Sequence, residues 1–148
     1  SCVGESSSPE KMPESFTLPL EINDNGRQYS AVLNKDKDGW EYEFSAPESI
    51  KGMSVKYENG SCTVELEKLK ITESAEKLGS TAPVVLISKA LDMCTSGKGV
   101  TAEKKGGKTI NKGVIEGADF TVTFEKGEPV SMEIAGEIAV SFTAKKKA

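Results

Sequence analysis

Residues 118–142 read ADFTVTFEKGEPVSMEIAGEIAVSF, and this stretch decides the class of fold. Apolar side chains occupy every second position in three short runs, and the positions between them carry Thr, Ser, Glu or Ala. The runs are residues 120–124, 130–134 and 138–142. Two turn-forming tripeptides, Gly127-Glu128-Pro129 and Ala135-Gly136-Glu137, separate them. This pattern predicts three antiparallel strands with one apolar face and one face in water.

The same alternation runs through most of the first half of the chain. Residues 16–22 place Phe, Leu, Leu and Ile on one face, and the turn signal Asn23-Asp24-Asn25-Gly26 follows them. The further alternating runs are residues 29–33, 40–44, 53–57 and 62–66, with Leu69 and Ile71 trailing. Pro47 is expected to end the strand before it. We therefore predict about ten or eleven strands in total.

One segment has the periodicity of a helix. Ser80-Thr81-Ala82-Pro83 predicts its start, with a hydroxyl side chain as the cap and Pro in the first turn. Ser96-Gly97 predicts its end. Most positions between are apolar, and the polar face is expected at three of them: Ser88, Lys89 and Asp92. A helix this apolar must be covered on most of its sides.

A Gly/Lys-rich stretch follows the helix. Residues 97–113 contain five lysines and five glycines with only scattered apolar side chains. We expect a weak strand near Val100 and then a mobile loop in this stretch.

The number of strands constrains how the single helix covers the sheet. Laid flat at about 4.8 Å per strand, the sheet would be about 50 Å wide, whereas a helix with its side chains is about 10–12 Å across. The helix covers the apolar face only if the sheet curls around it or splits into two packed sheets. Because the helix is apolar nearly all round, we predict an α+β domain in which a curled antiparallel sheet of about 10–11 strands, an incomplete β-barrel, wraps one apolar helix. A hydrophobic ligand binds in a concave apolar space of that kind.

The composition excludes several classes of function. The chain has 148 residues, with 19 Lys and Arg against 23 Asp and Glu, and no His. The length suits one domain, and the net charge of −4 argues against a nucleic-acid partner. Without His, the Ser-His-Asp and Cys-His catalytic arrangements and the HExxH zinc site are unavailable. The longest apolar run, residues 84–87, is too short to span a membrane. We expect a protein that is not an enzyme and holds no cofactor or metal.

The three cysteines fall into two groups. Cys2 lies in residues 1–13, a small, polar, Pro-bearing stretch that predicts a flexible tether. A cysteine at the front of such a tether resembles the mature end of a bacterial lipoprotein, with Cys2 as the lipidated residue, and an incidental cysteine is the alternative. Cys62 and Cys94 either form one disulfide or are two buried free thiols, and the sequence leaves both open.

The order of these features along the chain resembles a known family. The features in the first half are the alternating run at 29–33, WEYEF at 40–44 leading into Ala46-Pro47-Glu48, and residues 53–57 with Glu58-Asn59-Gly60. The features in the second half are the helix near 84–94, the strand at 120–124, the GEPVSMEI hairpin at 127–134 and the run at 138–142. This succession is similar to that of the LolA-like half-barrel lipoprotein family, bacterial surface lipoproteins of which many are carriers. The resemblance implies a half-barrel whose concave face binds acyl chains or lipoproteins, or senses such ligands.

These inferences combine into one prediction for the whole chain. Residues 1–13 form a lipoprotein tether, residues 14–144 a single half-barrel domain and residues 145–148 a charged tail. The protein is predicted to be an extracytoplasmic monomer, anchored to the membrane of the bacterial cell envelope through lipid on Cys2. It binds a hydrophobic ligand, such as an acyl chain, a lipid or an apolar peptide segment, and the alternative is a surface sensor or protein-interaction module with a filled core. Ten side chains are expected to line the ligand space: Leu18, Leu33, Trp40, Tyr42, Phe44, Met53, Tyr57, Ile87, Leu91 and Met132.

Overall fold

The computed structural model describes residues 8–67, 69–74 and 82–142. Six strands precede the helix: β1 (Phe16–Asp24), β2 (Arg27–Asp36), β3 (Gly39–Ala46), β4 (Ser54–Glu58), β5 (Ser61–Leu66) and β6 (Leu69–Ser74). The helix α1 spans Pro83–Ser96, and a short 3-10 turn, Glu48–Ile50, joins β3 to β4. Five strands follow the helix: β7 (Thr101–Lys105), β8 (Lys108–Ile115), β9 (Ala118–Glu125), β10 (Glu128–Ile134) and β11 (Ile138–Phe142).

The strands form one antiparallel sheet whose spatial order is β6-β5-β4-β3-β2-β1-β11-β10-β9-β8-β7. All but one of the pairs join strands that follow each other in the chain. The exception is the pairing of β1 with β11, which sets Leu20 opposite Phe142 and Ile22 opposite Val140 and so joins the two halves of the sheet. Strands β6 and β7 are the two edges, and the sheet is therefore open and not closed into a barrel. The predicted fold class, an open curled antiparallel sheet with one helix, is confirmed for the described residues.

The helix lies against the apolar face of the sheet. It packs on β8 from one half and on β4 from the other. On β9, Phe120, Val122 and Phe124 are buried, whereas the alternate threonines are half-buried. The interior between sheet and helix is one main apolar cluster to which most strands contribute. No helix in the described ranges is long and apolar enough to cross a membrane.

The two ends of α1 are fixed in different ways. Pro83 is the first residue of the helix, as predicted, because its fixed φ suits that position and no partner is needed for its nitrogen. The residue at the cap is Ala82, which makes no side-chain cap hydrogen bond, so the prediction of a hydroxyl cap is wrong. At the other end Gly97 has φ of 77° and its N–H bonds the carbonyl of Met93 at 2.7 Å. The predicted glycine stop is confirmed.

The stretch after the helix is more regular than its composition suggested. It contains two paired strands, β7 and β8, joined by a turn at Gly106-Gly107, and the predicted mobile loop is wrong. The alternation on β8 was hidden because its inward positions include Thr109 and Asn111, both buried. Their polar side chains interrupt the apolar period while still pointing into the core.

Part of the predicted tether contacts the domain. Met12 is buried, and its N–H bonds the carbonyl of Cys94 at 3.3 Å. Cys2, in residues 1–7, and the charged tail at 145–148 lie outside the described residues. The division of the chain into tether, domain and tail stays a prediction.

Two polar contacts attach the helix to β3. The hydroxyls of Tyr42 and Ser88 share a buried hydrogen bond of 2.7 Å, and the Tyr42 hydroxyl also reaches the carbonyl of Val84 at 3.4 Å. Ser88 was predicted on the exposed face, and that prediction is wrong because its partner Tyr42 lies inside the core.

The Tyr42–Ser88 bond is expected to stabilise the fold. Tyr42→Phe leaves the buried Ser88 hydroxyl without its partner. It should lower the free energy of unfolding, measured by urea denaturation, by about 1–2 kcal/mol. Ser88→Ala should cost a similar amount, and the double variant should cost less than the sum of the two. Tyr57→Phe, the same change on the half-buried tyrosine of β4, is the control and should cost less than about 0.5 kcal/mol. Additive effects of Tyr42→Phe and Ser88→Ala would show that the two hydroxyls are not coupled.

The carboxyl of Asp92 should make stability depend on pH. Partial burial of the carboxyl raises its pKa above the ordinary value, although Asp92 as a whole residue is exposed and the Lys35 ammonium and the Trp40 side chain act in the opposite direction. Because a raised folded pKa disfavours the ionised form, stability should fall as pH rises from the ordinary value through the raised one. Asp92→Asn mimics the protonated carboxyl. In urea denaturation this variant should match the parent protein near pH 3 and be more stable than it at pH 7.

The control for Asp92 is Asp119→Asn, which changes an exposed carboxyl at the start of β9. In this variant, the difference between the free energies of unfolding at pH 3 and pH 7 should be the same as in the parent protein. A lower stability of Asp92→Asn at pH 7 would show that the ionised carboxylate supports the fold through Trp40 and Lys35.

Candidate functional site

The ten predicted lining residues divide into two groups. Five of them fill the centre of the concavity with at most 1% of their surface exposed: Leu33, Tyr42, Ile87, Leu91 and Met132. All five belong to the main core, and none of them lines either of the two apolar openings described below. The centre of the half-barrel is therefore packed protein, and space for a ligand has to be sought at its ends.

The other five predicted residues lie closer to the ends. Trp40 and Phe44 are buried with small exposed fractions, and Leu18, Met53 and Tyr57 are half-buried. Phe44 and Met53 line one apolar opening, and Leu18 lines another. Trp40 contacts the edge of the Phe16 ring, with ring centres 6.0 Å apart. All five pack in or against the main core, and three of them, Leu18, Phe44 and Met53, line the two openings.

The first opening lies where α1 begins, and we name it the helix-start pocket. It has a volume of about 260 Å³. Its apolar walls are Ile22, Tyr29, Phe44, Ile50, Met53 and Val84, with Ala82 and Pro83 beside them. Asp24 and Arg27 stand at its rim, and Arg27 is exposed.

Backbone pairing brings these walls together. Ile22 and Tyr29 are register partners across the β1–β2 hairpin. The ring of Tyr29 meets that of Phe44 edge-on, with centres 6.2 Å apart. The N–H of Phe44 bonds the carbonyl of Met53 at 2.8 Å, and the N–H of Met53 bonds the carbonyl of Ile50 at 2.9 Å. The 3-10 turn is thereby folded back so that Ile50 lies over the end of the core.

Four walls of this pocket were not among the predicted lining residues. Tyr29 and Ile22 had the correct alternation, which gives the face of a strand but not the distance from its end. Val84 lies on the predicted helix, at its first turn. Ile50 carried no signal, because it belongs to a short turn after Pro47 with no period of its own.

The second opening lies at the opposite end of β1, and we name it the Met12 pocket. It has a volume of about 270 Å³. Its walls come from β1, β10, β11 and the chain before β1: Met12, Pro13, Phe16, Thr17, Leu18, Pro19, Gly127, Glu128, Pro129, Val130 and Phe142. Most of these side chains are apolar, so this end of the concavity has the same chemical character as the other.

The two core cysteines are not bonded to each other. Cys62 and Cys94 are free and buried, so of the two alternatives left by the sequence the structure contains the free thiols. Cys62 packs on Val85 in a small separate cluster, whereas Cys94 belongs to the main core. Nδ2 of Asn111 lies 3.4 Å from the Cys94 sulfur and donates to it. Burial raises the pKa of both thiols.

The described residues hold no cluster of His, Cys, Asp or Glu suited to a metal ion. In the acidic turn between β2 and β3, one carboxylate oxygen is already engaged by backbone N–H groups. Oδ1 of Asp36 accepts hydrogen bonds from the N–H of Asp38 at 2.7 Å and of Gly39 at 3.1 Å.

Comparison with known proteins gives structural likenesses. No protein-family model and no curated protein sequence matches the chain. A crystal structure of a LolA superfamily protein from Nitrosomonas europaea is similar, with 10% identity and a TM-score of 0.48, over 94% of this chain and 90% of that one. Two crystal forms of PNGF-II are similar at 9% and 10% identity, with TM-scores of 0.39 and 0.37, over 92% of this chain in each case. The chain spans only 28% and 29% of those two PNGF-II chains.

Proposed function

We propose that this protein is a non-catalytic binding protein that holds an apolar group in the helix-start pocket. The observation that supports the proposal is the pocket itself. It opens on the concave side of the sheet, and its walls are aliphatic and aromatic side chains from three strands, a turn and the helix. The ligand class is an acyl chain, a lipid or an apolar peptide segment.

The volume and the wall residues of the pocket limit the kind of ligand that it can hold. Drug-sized ligands occupy pockets of about 300–1,000 Å³. An opening of about 260 Å³ suits a single alkyl chain or a single large side chain. Each methylene that leaves water contributes about 0.8 kcal/mol, so a short chain buried here gains useful affinity. Met53 gives one wall an unbranched side chain that adapts to different occupants.

The rim favours a ligand with a polar end. Asp24 and Arg27 flank the opening while the walls below them are apolar. A charged side chain at a rim stays hydrated, and a ligand that keeps its own polar group at that level avoids burying it. An amphiphile with its tail in the pocket and its polar end between these residues satisfies both conditions.

The packed centre supports the alternative of a sensor or interaction module with a filled core. Such a module needs an exposed apolar patch to meet its partner. Among the described residues the one large hydrophobic side chain with high exposure is Val114, at 56%. A single valine is too small for a docking surface, and this favours the ligand-binding proposal.

Localisation and assembly complete the proposal. A lipid on Cys2 would anchor the protein to the membrane of the bacterial cell envelope, outside the cytoplasm, as a monomer without nucleic-acid partners. The support is the small, polar character of the residues that surround Cys2.

The 3-10 turn offers a matched pair of variants that tests the pocket. Ile50 faces the pocket and its neighbour Ser49 is exposed. Ile50→Glu places a carboxylate in the apolar space and should weaken binding of cis-parinaric acid, a fluorescent fatty acid, by at least about tenfold. Ser49→Glu adds the same charge to the same turn outside the pocket and should leave the affinity unchanged. Fluorescence titration measures both.

Circular dichroism and urea denaturation establish that the two variants are folded before they are compared. Equal affinities of Ile50→Glu and Ser49→Glu would place the fatty acid elsewhere and overturn the assignment of this pocket. Absence of binding to the parent protein would overturn the proposed ligand class.

A further inference from the structure

The chain before β1 lies across the end of the concavity as a strap, which we define as residues 8–15. One of its side chains, that of Met12, is buried with 4% of its surface exposed. Lys11, Pro13, Glu14 and Ser15 around it are exposed. Met12 belongs to the main core and forms one wall of the Met12 pocket. The strap therefore enters the apolar interior through a single side chain.

The backbone of the strap is held by one buried amide. Oδ1 of Asn111 accepts the N–H of Glu10 at 3.1 Å, and Nδ2 of Asn111 donates to the carbonyl of Glu10 at 2.8 Å. Asn111 is fully buried on the inward face of β8. The third contact of the strap is the bond from the N–H of Met12 to the carbonyl of Cys94.

Asn111 has no comparable role in the core itself. Apart from Glu10, the side chain of Asn111 bonds the sulfur of Cys94, a weak acceptor, at 3.4 Å. A buried amide without partners is unfavourable, and an apolar residue at this inward position would need none. The two bonds to Glu10 are therefore what makes an asparagine suitable here, and they act as a latch on the strap.

The strap is the most weakly held wall of the Met12 pocket. Phe16, Leu18, Val130 and Phe142 belong to strands that are hydrogen-bonded within the sheet. Met12 and Pro13 belong to a segment held by the three contacts described above. Removal of this wall would widen the apolar space toward solvent without breaking any pair of strands.

We infer that the strap is a displaceable plug, in which Met12 occupies part of a binding site that an unbranched acyl chain takes when the Asn111 latch opens. The inference rests on the proposed function for the class of ligand, and it adds a second site and its regulation. The methionine side chain is itself unbranched and apolar, so the space that it vacates fits an alkyl chain. The closed strap lowers the apparent affinity in proportion to the fraction of molecules that are open.

The test uses the full chain with Ile50→Glu as the background, so that the helix-start pocket is blocked and the remaining binding reports the Met12 pocket. Asn111→Leu removes the latch and keeps a side chain of similar size in the core. It should increase amide hydrogen exchange at residues 10–12 and tighten the binding of cis-parinaric acid by at least about tenfold. Lys11→Ala changes an exposed side chain of the strap and should alter neither measurement.

A second variant makes the outcome independent of the folding of Asn111→Leu. Met12→Ala keeps the latch and removes the plug, and it should tighten binding about threefold or more in the same background. Weaker or unchanged affinity in Met12→Ala overturns the proposal. Faster exchange without tighter binding in Asn111→Leu overturns it as well, and so does unchanged exchange in the strap.

Failure of the proposed function has a different signature. If cis-parinaric acid binds equally to the parent protein and to Ile50→Glu, the helix-start pocket is not its site. The comparison within the Ile50→Glu background still decides the role of the strap. If the parent protein and every variant fail to bind, both proposals are overturned.

Discussion

An antiparallel sheet with one apolar face needs a cover on that face, and one helix of 14 residues supplies it within the described part of the chain. Such a helix is about 21 Å long, whereas eleven strands laid flat would extend about 50 Å. The sheet must therefore curl until β4 and β8, from opposite halves, both contact the helix. The pairing of β1 with β11 makes this possible, because it turns two meanders into one continuous surface. The packed centre and the two openings follow from this mismatch, since the cover is complete beneath the helix and ends where the helix ends.

Different segments of the chain cover the apolar core at the two ends of the helix. At its start, the turn that carries Ile50 folds over the core, and an apolar opening with charged residues at the rim is left beside Val84. At its other end, the carbonyl of Cys94 receives the N–H of Met12, and the strap covers the core there. A bare end would expose apolar surface to water, which is unfavourable in proportion to its area. The strap thus covers the apolar interior at one end, as the helix covers it at the centre.

Alternation of apolar residues was sufficient to predict the class of fold. It located the strands from Phe16 to Leu66 and from Phe120 to Phe142, and the width of the resulting sheet required the curl. It failed where a polar side chain points inward. Ser88 and Asn111 are buried because Tyr42 and Glu10 supply hydrogen bonds, and those partners are distant in sequence. Period alone cannot reveal such pairs, since a serine on a helix reads as exposed until its partner is known.

The candidate site was predicted less well than the fold for a related reason. Period two gives the face on which Phe44 or Leu33 lies, but it does not say whether the residue is central and sealed or terminal and accessible. The deciding side chains, Ile50 and Met12, come from a 3-10 turn and an irregular segment that have no period. Each opening nevertheless has one methionine in its wall, Met53 at one end and Met12 at the other. At an opening, an unbranched, polarisable side chain adapts to occupants of different shape, whereas the centre, Met132 included, is closely packed. Under the proposed function, the two ends of the concavity are therefore where an apolar ligand would enter and leave without disturbing the core.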